Sequence, residues 1–323
     1  MQIREYANKI YQRVESLFEE KKLQATTFRC CLSLTAHELS FIYLNHTQDF
    51  IEVLLSETLS YESIDDITLL LTGLVKQQNL HYTPTSWLLS PDDYQLFLVE
   101  ALPVKPEEYL DALKWRIRSL INYDQSEAAI DYFKLPVKKG AQENNAMTAA
   151  VVAQKSQLNK LAEALNHCGL LLTAIDIPEL AMRNLTALYE HDEKSTAFIY
   201  FYPNVAILNI TREKTLYFTR RINLTEYNDQ QLYEQVSLDI LRYFDYYQSQ
   251  WRHPNPSRIF VASKHNVEQI KTLLSQYLSL AVEPYQLPAT LMGNAKFKTL
   301  GIHYLLLLGK TLGQNENNAK TRN

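Results

Sequence analysis

The stretch Ala197-Phe198-Ile199-Tyr200-Phe201-Tyr202-Pro203-Asn204-Val205-Ala206-Ile207-Leu208-Asn209-Ile210 decides the reading of the fold. Two runs of β-branched and aromatic residues flank Pro203-Asn204, a pair that favours a turn, so the stretch reads as two antiparallel strands. A second stretch, Cys30-Cys31-Leu32-Ser33-Leu34-Thr35-Ala36-His37-Glu38-Leu39-Ser40-Phe41-Ile42-Tyr43-Leu44, repeats the pattern of strand, tight turn and strand. A turn that holds phosphate needs glycine where the backbone approaches the anion. Neither turn has a glycine or a suitably placed aspartate, so each has the form of a phosphate loop without its chemistry.

Outward from the two meanders, the periodicity supplies the remaining elements. Residues 3 to 22 read as a helix with Ile10, Val14, Leu17 and Phe18 on one stripe. Strands follow near 28 to 34, 39 to 45 and 49 to 55, then a helix near 61 to 79 and a strand near 85 to 90 that ends at Ser90-Pro91-Asp92-Asp93. Residues 94 to 176 read as an inserted module of strand, helix, two strands, helix and strand. Its first helix opens at Pro106-Glu107-Glu108 and is expected to turn Leu110, Leu113, Ile117 and Leu120 inward. A helix from Glu179 to Tyr189 and the charged linker His191-Asp192-Glu193-Lys194 precede the second meander. A long helix then carries Leu232, Val236, Ile240, Tyr243, Phe244, Tyr247 and Trp251 on one stripe, and alternating strand and helix segments follow to about 312.

Two copies of βββα with further β/α units imply an α/β protein with the duplicated ribonuclease H-like fold, that of the actin-like ATPases, carrying a small inserted α+β module of SHS2 or ferredoxin-like type. The expected parts are an N-terminal helix (1–27), a first lobe (28–93 and 177–190), the module (94–176), a second lobe (191–313) and a disordered polar tail (314–323).

Composition excludes several classes. The 323 residues suffice for two cores, and 46% hydrophobic with 21% charged residues is a globular balance. A net charge of −4 gives no footprint for nucleic acid, and 33 tyrosines and phenylalanines do not make a stacking platform without a cationic groove. The longest apolar run, Ile302 to Leu308, falls short of the ~20 residues a bilayer crossing needs. The charged N-terminus lacks a signal-peptide core, so a cytoplasmic location is expected. Only 7 glycines occur, against a usual share of ~7%, which disfavours phosphate loops and nucleophile elbows throughout. The three cysteines and eight histidines show neither a disulfide framework nor metal-ligand spacing, and no metal is expected. Acidic pairs such as Asp65-Asp66 and Glu107-Glu108 stand at helix starts, where they complement exposed amides, so no catalytic residue is assigned.

Trp115 stands apart. On its helix it lies roughly 160 to 200° from Leu113 and Ile117 and shares a face with Asp111 and Arg118. A large aromatic off the apolar stripe beside arginines has the composition of a protein interface, and Asp111, Trp115 and Arg118 are the candidate partner surface. The competing reading is a Trp115 buried between the module and a lobe.

Several segments resemble a known family. Trp115-Arg116-Ile117-x-x-Leu120-Ile121 with Glu127-Ala128-Ala129-Ile130-Asp131-Tyr132-Phe133-x-Leu135-Pro136 is similar to the MshI family of the mannose-sensitive haemagglutinin (MSHA) type IV pilus. So are Leu96-x-Leu98-Val99-Glu100-Ala101-x-Pro103-Val104, Ala174-Ile175-Asp176-Ile177-Pro178-Glu179-Leu180-Ala181-x-Arg183-Asn184-Leu185 and Arg242-Tyr243-Phe244-Asp245-Tyr246-Tyr247-x-Ser249-Gln250-Trp251. Together they span about 95 to 260. More distantly the chain resembles PilM, the actin-like cytoplasmic component of type IV pilus machines. The resemblance implies a scaffold at the cytoplasmic face of the inner membrane that binds the cytoplasmic tail of a PilN-like, or MshJ-like, membrane protein, reaches the membrane through its partners and needs no cofactor. PilM-like relatives carry Asp-x-Gly in each meander. Those places are Ser33 and Thr35 in the first and Tyr200 and Tyr202 in the second, and Val261-Ala262-Ser263-Lys264 lacks the glycine pair of the adenosine site. Two alternatives stay open: an actin-like ATPase with nonstandard loops, and a component of a type II secretion platform similar to GspL.

Overall fold

The computed structural model describes residues 27–47, 50–137, 147–226, 231–264, 266–288, 291 and 301–313. The expected N-terminal helix and polar tail lie outside the described residues.

The described chain divides into two units, the first holding 27–134 and 147–178, the second 135–137, 179–288 and 301–313. In the first unit, β1 (Phe28–Leu34), β2 (Glu38–His46) and β3 (Ile51–Ser60) form the meander, with Leu32 opposite Phe41 and Phe41 opposite Glu57. Strand β4 (Pro84–Leu88) runs parallel to β1, and β8 (Leu171–Asp176) runs parallel to β4, which gives the order β3-β2-β1-β4-β8. Helix α1 (Ile64–Gln78) starts at Ser63, whose hydroxyl accepts from the Asp66 amide while the Asp66 carboxylate accepts from the Ser63 amide at 2.9 Å. This capping box satisfies two of the amides that a helix start leaves open, and Asn79 in the left-handed region (φ 55°) ends the helix. Ile67, Leu71 and Val75 are its buried stripe.

The module has its own small core. Strands β5 (Tyr94–Glu100), β6 (Ala128–Lys134) and β7 (Met147–Gln154) pair antiparallel in the order β5-β7-β6. Helix α2 (Tyr109–Ile117) buries Tyr109, Leu113 and Ile117 among Val99, Ile130, Ala150 and Val152. Two expectations fail here. Leu110 packs half-buried against this core, but Leu120 is exposed, because α2 ends at Ile117 and Leu120 lies beyond it; Tyr109 takes a further inward place, where its hydroxyl meets that of Thr148. The module also ends near 154 and not at 176: helix α3 (Lys155–His167) packs on α1, and β8 joins the five-stranded sheet.

The second unit repeats the first. Strands β9 (Thr196–Phe201), β10 (Val205–Arg212) and β11 (Thr215–Asn223) form the meander, then β12 (Arg258–Ser263) and β13 (Ala281–Pro284) add in parallel, in the order β11-β10-β9-β12-β13. The two five-stranded sheets thus have the same topology. Helix α5 (Leu232–Trp251) buries Val236, Ile240, Phe244, Tyr247 and Trp251 against Ile199, Leu208 and Phe218, while α6 (Val267–Tyr277) adds Ile270 and Leu274. Each such side chain contributes roughly 1.5–3 kcal/mol of transfer free energy, which makes this stripe the main support of the unit.

Helix α4 (Pro178–Thr186) and the residues after it differ from the expectation that placed 177–190 in the first lobe. From Glu179 onward they belong to the second unit, because their polar groups are satisfied there. The Asn209 amide donates to the Glu179 carbonyl at 2.7 Å, Arg221 reaches the buried Glu179 carboxylate at 3.4 Å, and Thr211 reaches Glu190 at 2.6 Å. Helix α7 (Leu305–Leu312) lies so close to α4 that a Cβ on Gly309 would stand 2.5 Å from the Ala181 carbonyl oxygen. Asn184 donates to the Gly309 carbonyl across the same seam at 2.9 Å.

Candidate functional site

The two hairpin turns are the places the topology offers an anion. In the first, Ser33, next to last in β1, is half-buried opposite Ser40, and Thr35 starts an exposed turn. The Thr35 amide donates to the Glu38 carbonyl at 2.9 Å, the Thr35 hydroxyl reaches the same carbonyl at 3.3 Å, and the Thr35 carbonyl accepts from the Tyr61 hydroxyl. Both backbone groups of Thr35 are therefore used within the fold.

In the second turn, Tyr200 is buried on β9 and its ring lies 4.8 Å from that of Tyr202. Burial pushes the Tyr200 phenol up, so it stays neutral at physiological pH. The Tyr202 amide donates to the Val205 carbonyl at 2.9 Å. Where a phosphate loop presents carboxylate and bare backbone, this hairpin presents two packed aromatic rings. On β12, Val261 and Ala262 are buried, and no glycine opens the strand end.

Among the described residues no group of three or more His, Cys, Asp or Glu is arranged to hold a metal ion. Cys30, Cys31 and Cys168 are free and buried, and burial pushes the Cys30 and Cys168 thiols up, which makes them poor nucleophiles.

The candidate partner surface is more open than the turns. Trp115 is 76% exposed on α2, which rules out the reading that buries it. Asp111, one turn before it, is held by Lys114 at 2.7 Å, an exposed pair worth ~0–1 kcal/mol. Arg118 follows directly after the helix, so the structure brings Asp111, Trp115 and Arg118 to one exposed face. Beside this face is a cavity of about 1000 Å³ lined by Lys114, Arg118, Tyr123, Asp124, Ser126 and Lys155, among others. Asp124 caps the turn before β6, accepting from the Ser126 amide at 2.7 Å, and its carboxyl is held below the usual range by hydrogen bonds from Ser126, with Arg118 adding to the effect. The Lys155 ammonium donates to the Ser126 carbonyl.

Sequence reasoning found three residues of this surface and missed the cavity. Lys155 opens α3, far along the chain from α2, and only the pairing of β6 with β7 brings the two together. A lysine at a strand-to-helix junction was the available signal, and alone it says nothing of what lies opposite.

No protein-family model and no curated protein matches the chain. Among solved structures it is similar to a chain of a PilM–PilN type IV pilus biogenesis complex, with 13% identity, a TM-score of 0.67, and coverage of 87% of this chain and 96% of that one. It is also similar to the cytoplasmic domain of EpsL, an inner membrane component of the type II secretion system of Vibrio cholerae, with 12% identity, a TM-score of 0.51, and coverage of 88% and 94%. No helix among the described residues is long and apolar enough to cross a membrane. Duplicated five-stranded sheets of one topology, with a module inserted in the first, make this an actin-like fold.

Proposed function

We propose that the chain is a noncatalytic scaffold of a pilus or secretion assembly platform, placed at the cytoplasmic face of the inner membrane and holding the cytoplasmic segment of a PilN-like membrane protein. The finer reading is a member of an MSHA-type system similar to MshI. The observation that carries the scaffold reading is the pair Tyr200 and Tyr202, packed 4.8 Å apart where relatives of this fold place Asp-x-Gly. Two rings leave no bare backbone for a phosphate and no carboxylate for its metal. The segment resemblance over about 95 to 260 and the likeness to a chain from a PilM–PilN complex support the partner assignment.

A thermal melt with and without Mg-ATP tests the absence of nucleotide chemistry. A ligand bound at 100 times its Kd adds about 2.7 kcal/mol to the native state, and the scaffold reading expects no shift. A clear, saturable rise in Tm overturns it in favour of an ATPase with nonstandard loops. For the partner, a two-hybrid screen against the inner-membrane proteins encoded in the same cluster is expected to return one short cytoplasmic tail.

A further inference from the structure

The cavity beside α2 has a charge opposite to that of the molecule. Lys114, Arg118 and Lys155 line it against one carboxylate, Asp124, in a chain of net charge −4. Two of the cations are partly engaged, Lys114 with Asp111 and Lys155 with the Ser126 carbonyl. Among the described residues no carboxylate lies within ion-pair distance of Arg118 or Lys155; Asp124, whose Oδ1 accepts from the Ser126 amide, acts on Arg118 only at longer range. Helix α3 begins at Lys155 with no side-chain cap and no acid in its first turn, so its positive end adds to the field. Trp115, one residue from Lys114 and one turn before Arg118, offers an exposed indole beside these charges.

We propose that this trough docks an acidic segment of a partner protein, its carboxylates meeting Arg118 and Lys155 and an adjacent apolar side chain covering Trp115. The inference rests on the scaffold reading, since a scaffold must hold a partner, and it adds the chemistry of the docked segment. The shape favours a single chain over an anionic bilayer. A flat array of phosphates would also have to approach Asp111 and Glu127, which are exposed nearby, whereas one segment lying in the trough meets the cations first. The guanidinium of Arg118 suits paired hydrogen bonds to a carboxylate, and an aromatic anchor at the rim is the usual companion of such a contact.

The test is photo-crosslinking in the cells that make the protein, with p-benzoylphenylalanine replacing Trp115 in the full chain. The expected result is a protein adduct whose crosslinked peptide is net acidic. The adduct should fall at least about tenfold when Arg118→Glu and Lys155→Glu are combined, and return with Arg118→Lys and Lys155→Arg. Of the three positions changed, Trp115 and Arg118 are exposed and Lys155 is half-buried, and an unchanged melting curve for each variant separates lost docking from lost folding. An adduct to lipid, a neutral or basic crosslinked peptide, an adduct indifferent to charge reversal, or no adduct overturns the proposal. An acidic, charge-sensitive adduct to a protein unconnected with the envelope would leave the docking inference standing and sink the platform reading.

Discussion

Replacing Glu190 with alanine should loosen the β10–β11 hairpin selectively. Glu190 is 5% exposed, its Oε1 accepts from the Thr211 hydroxyl at 2.6 Å and its Oε2 from the Lys214 amide. The second contact pins a two-residue turn in which Glu213 and Lys214 both have positive φ, 51° and 62°, a conformation that non-glycine residues adopt at a cost of ~1–3 kcal/mol each. Glu190→Ala returns the Lys214 amide to water and loses one hydrogen bond to a charged acceptor, worth about 1.5–3 kcal/mol. The Thr211 hydroxyl recovers part of its loss by turning to the Thr196 carbonyl at 3.4 Å, and removal of a buried charge offsets some of the rest. A net loss of about 2 kcal/mol is expected, which amounts to roughly 30-fold faster hydrogen exchange in Thr211–Thr219, measured by mass spectrometry after correction for intrinsic rates.

The pH dependence has a definite sign. Burial is the largest influence on Glu190 and raises its carboxyl above the ordinary 4.5, against hydrogen bonds from Thr211 and Lys214 that pull it down. Above the raised value the ionised group bears the burial penalty, and below about 4.5 the penalty is gone. The wild type therefore gains on the variant as pH falls through that window, and the exchange difference should be larger at pH 5 than at pH 8. Acceleration under about threefold, or a difference larger at pH 8, would refute the reasoning.

Two glycines should respond to alanine in opposite directions. At Gly73, exposed on α1, an added Cβ meets nothing within 4 Å, so Gly73→Ala should stabilise by about 0.5–1 kcal/mol in urea denaturation. Gly309→Ala should destabilise by about 1–3 kcal/mol, because its Cβ would press on the Ala181 carbonyl and Leu185. Equal signs would contradict the packing of α7 on α4. Replacing Glu213-Lys214 with Asn-Gly should raise the stability of the second unit by about 1 kcal/mol through relief of the turn, read as slower exchange of the same hairpin.

The meanders were legible because their strands alternate or run apolar between clear turns. Thr196–Phe201 is buried along its whole length, and its sequence reads as a buried strand without help from the rest of the chain. The α5 stripe was legible for the same reason, since Val236, Ile240, Phe244, Tyr247 and Trp251 hold helical spacing. The end of the module was not legible. Leu171–Asp176 reads as a strand in any context, and its assignment to a sheet depends on Trp87 lying opposite Ile175, a pairing fixed by packing far along the chain. The same holds for α4: Glu179 is an ordinary acid in a helix's first turn until Asn209 and Arg221 surround it. At the candidate site, helical spacing put Asp111, Trp115 and Arg118 on one face, but the exposure of Trp115 depends on what the lobe leaves uncovered.

The place of the insertion also bears on the order in which the sheets close. Pro84 pairs with Leu171 across about 90 residues, whereas the equivalent partners in the second sheet, Arg258 and Ala281, are about 20 apart, a difference in loop-closure free energy of only about 1 kcal/mol. A module that folds on its own core shortens the effective loop further, so the detour is thermodynamically cheap. Its effect is on timing: β13 can zip onto β12 soon after both are made, while β8 must await nearly a hundred residues of intervening chain. During synthesis the β1-β2-β3 meander can therefore close locally, while the edge of β4 waits open until the module is complete, so the first sheet closes in two separated steps and the second sheet does not.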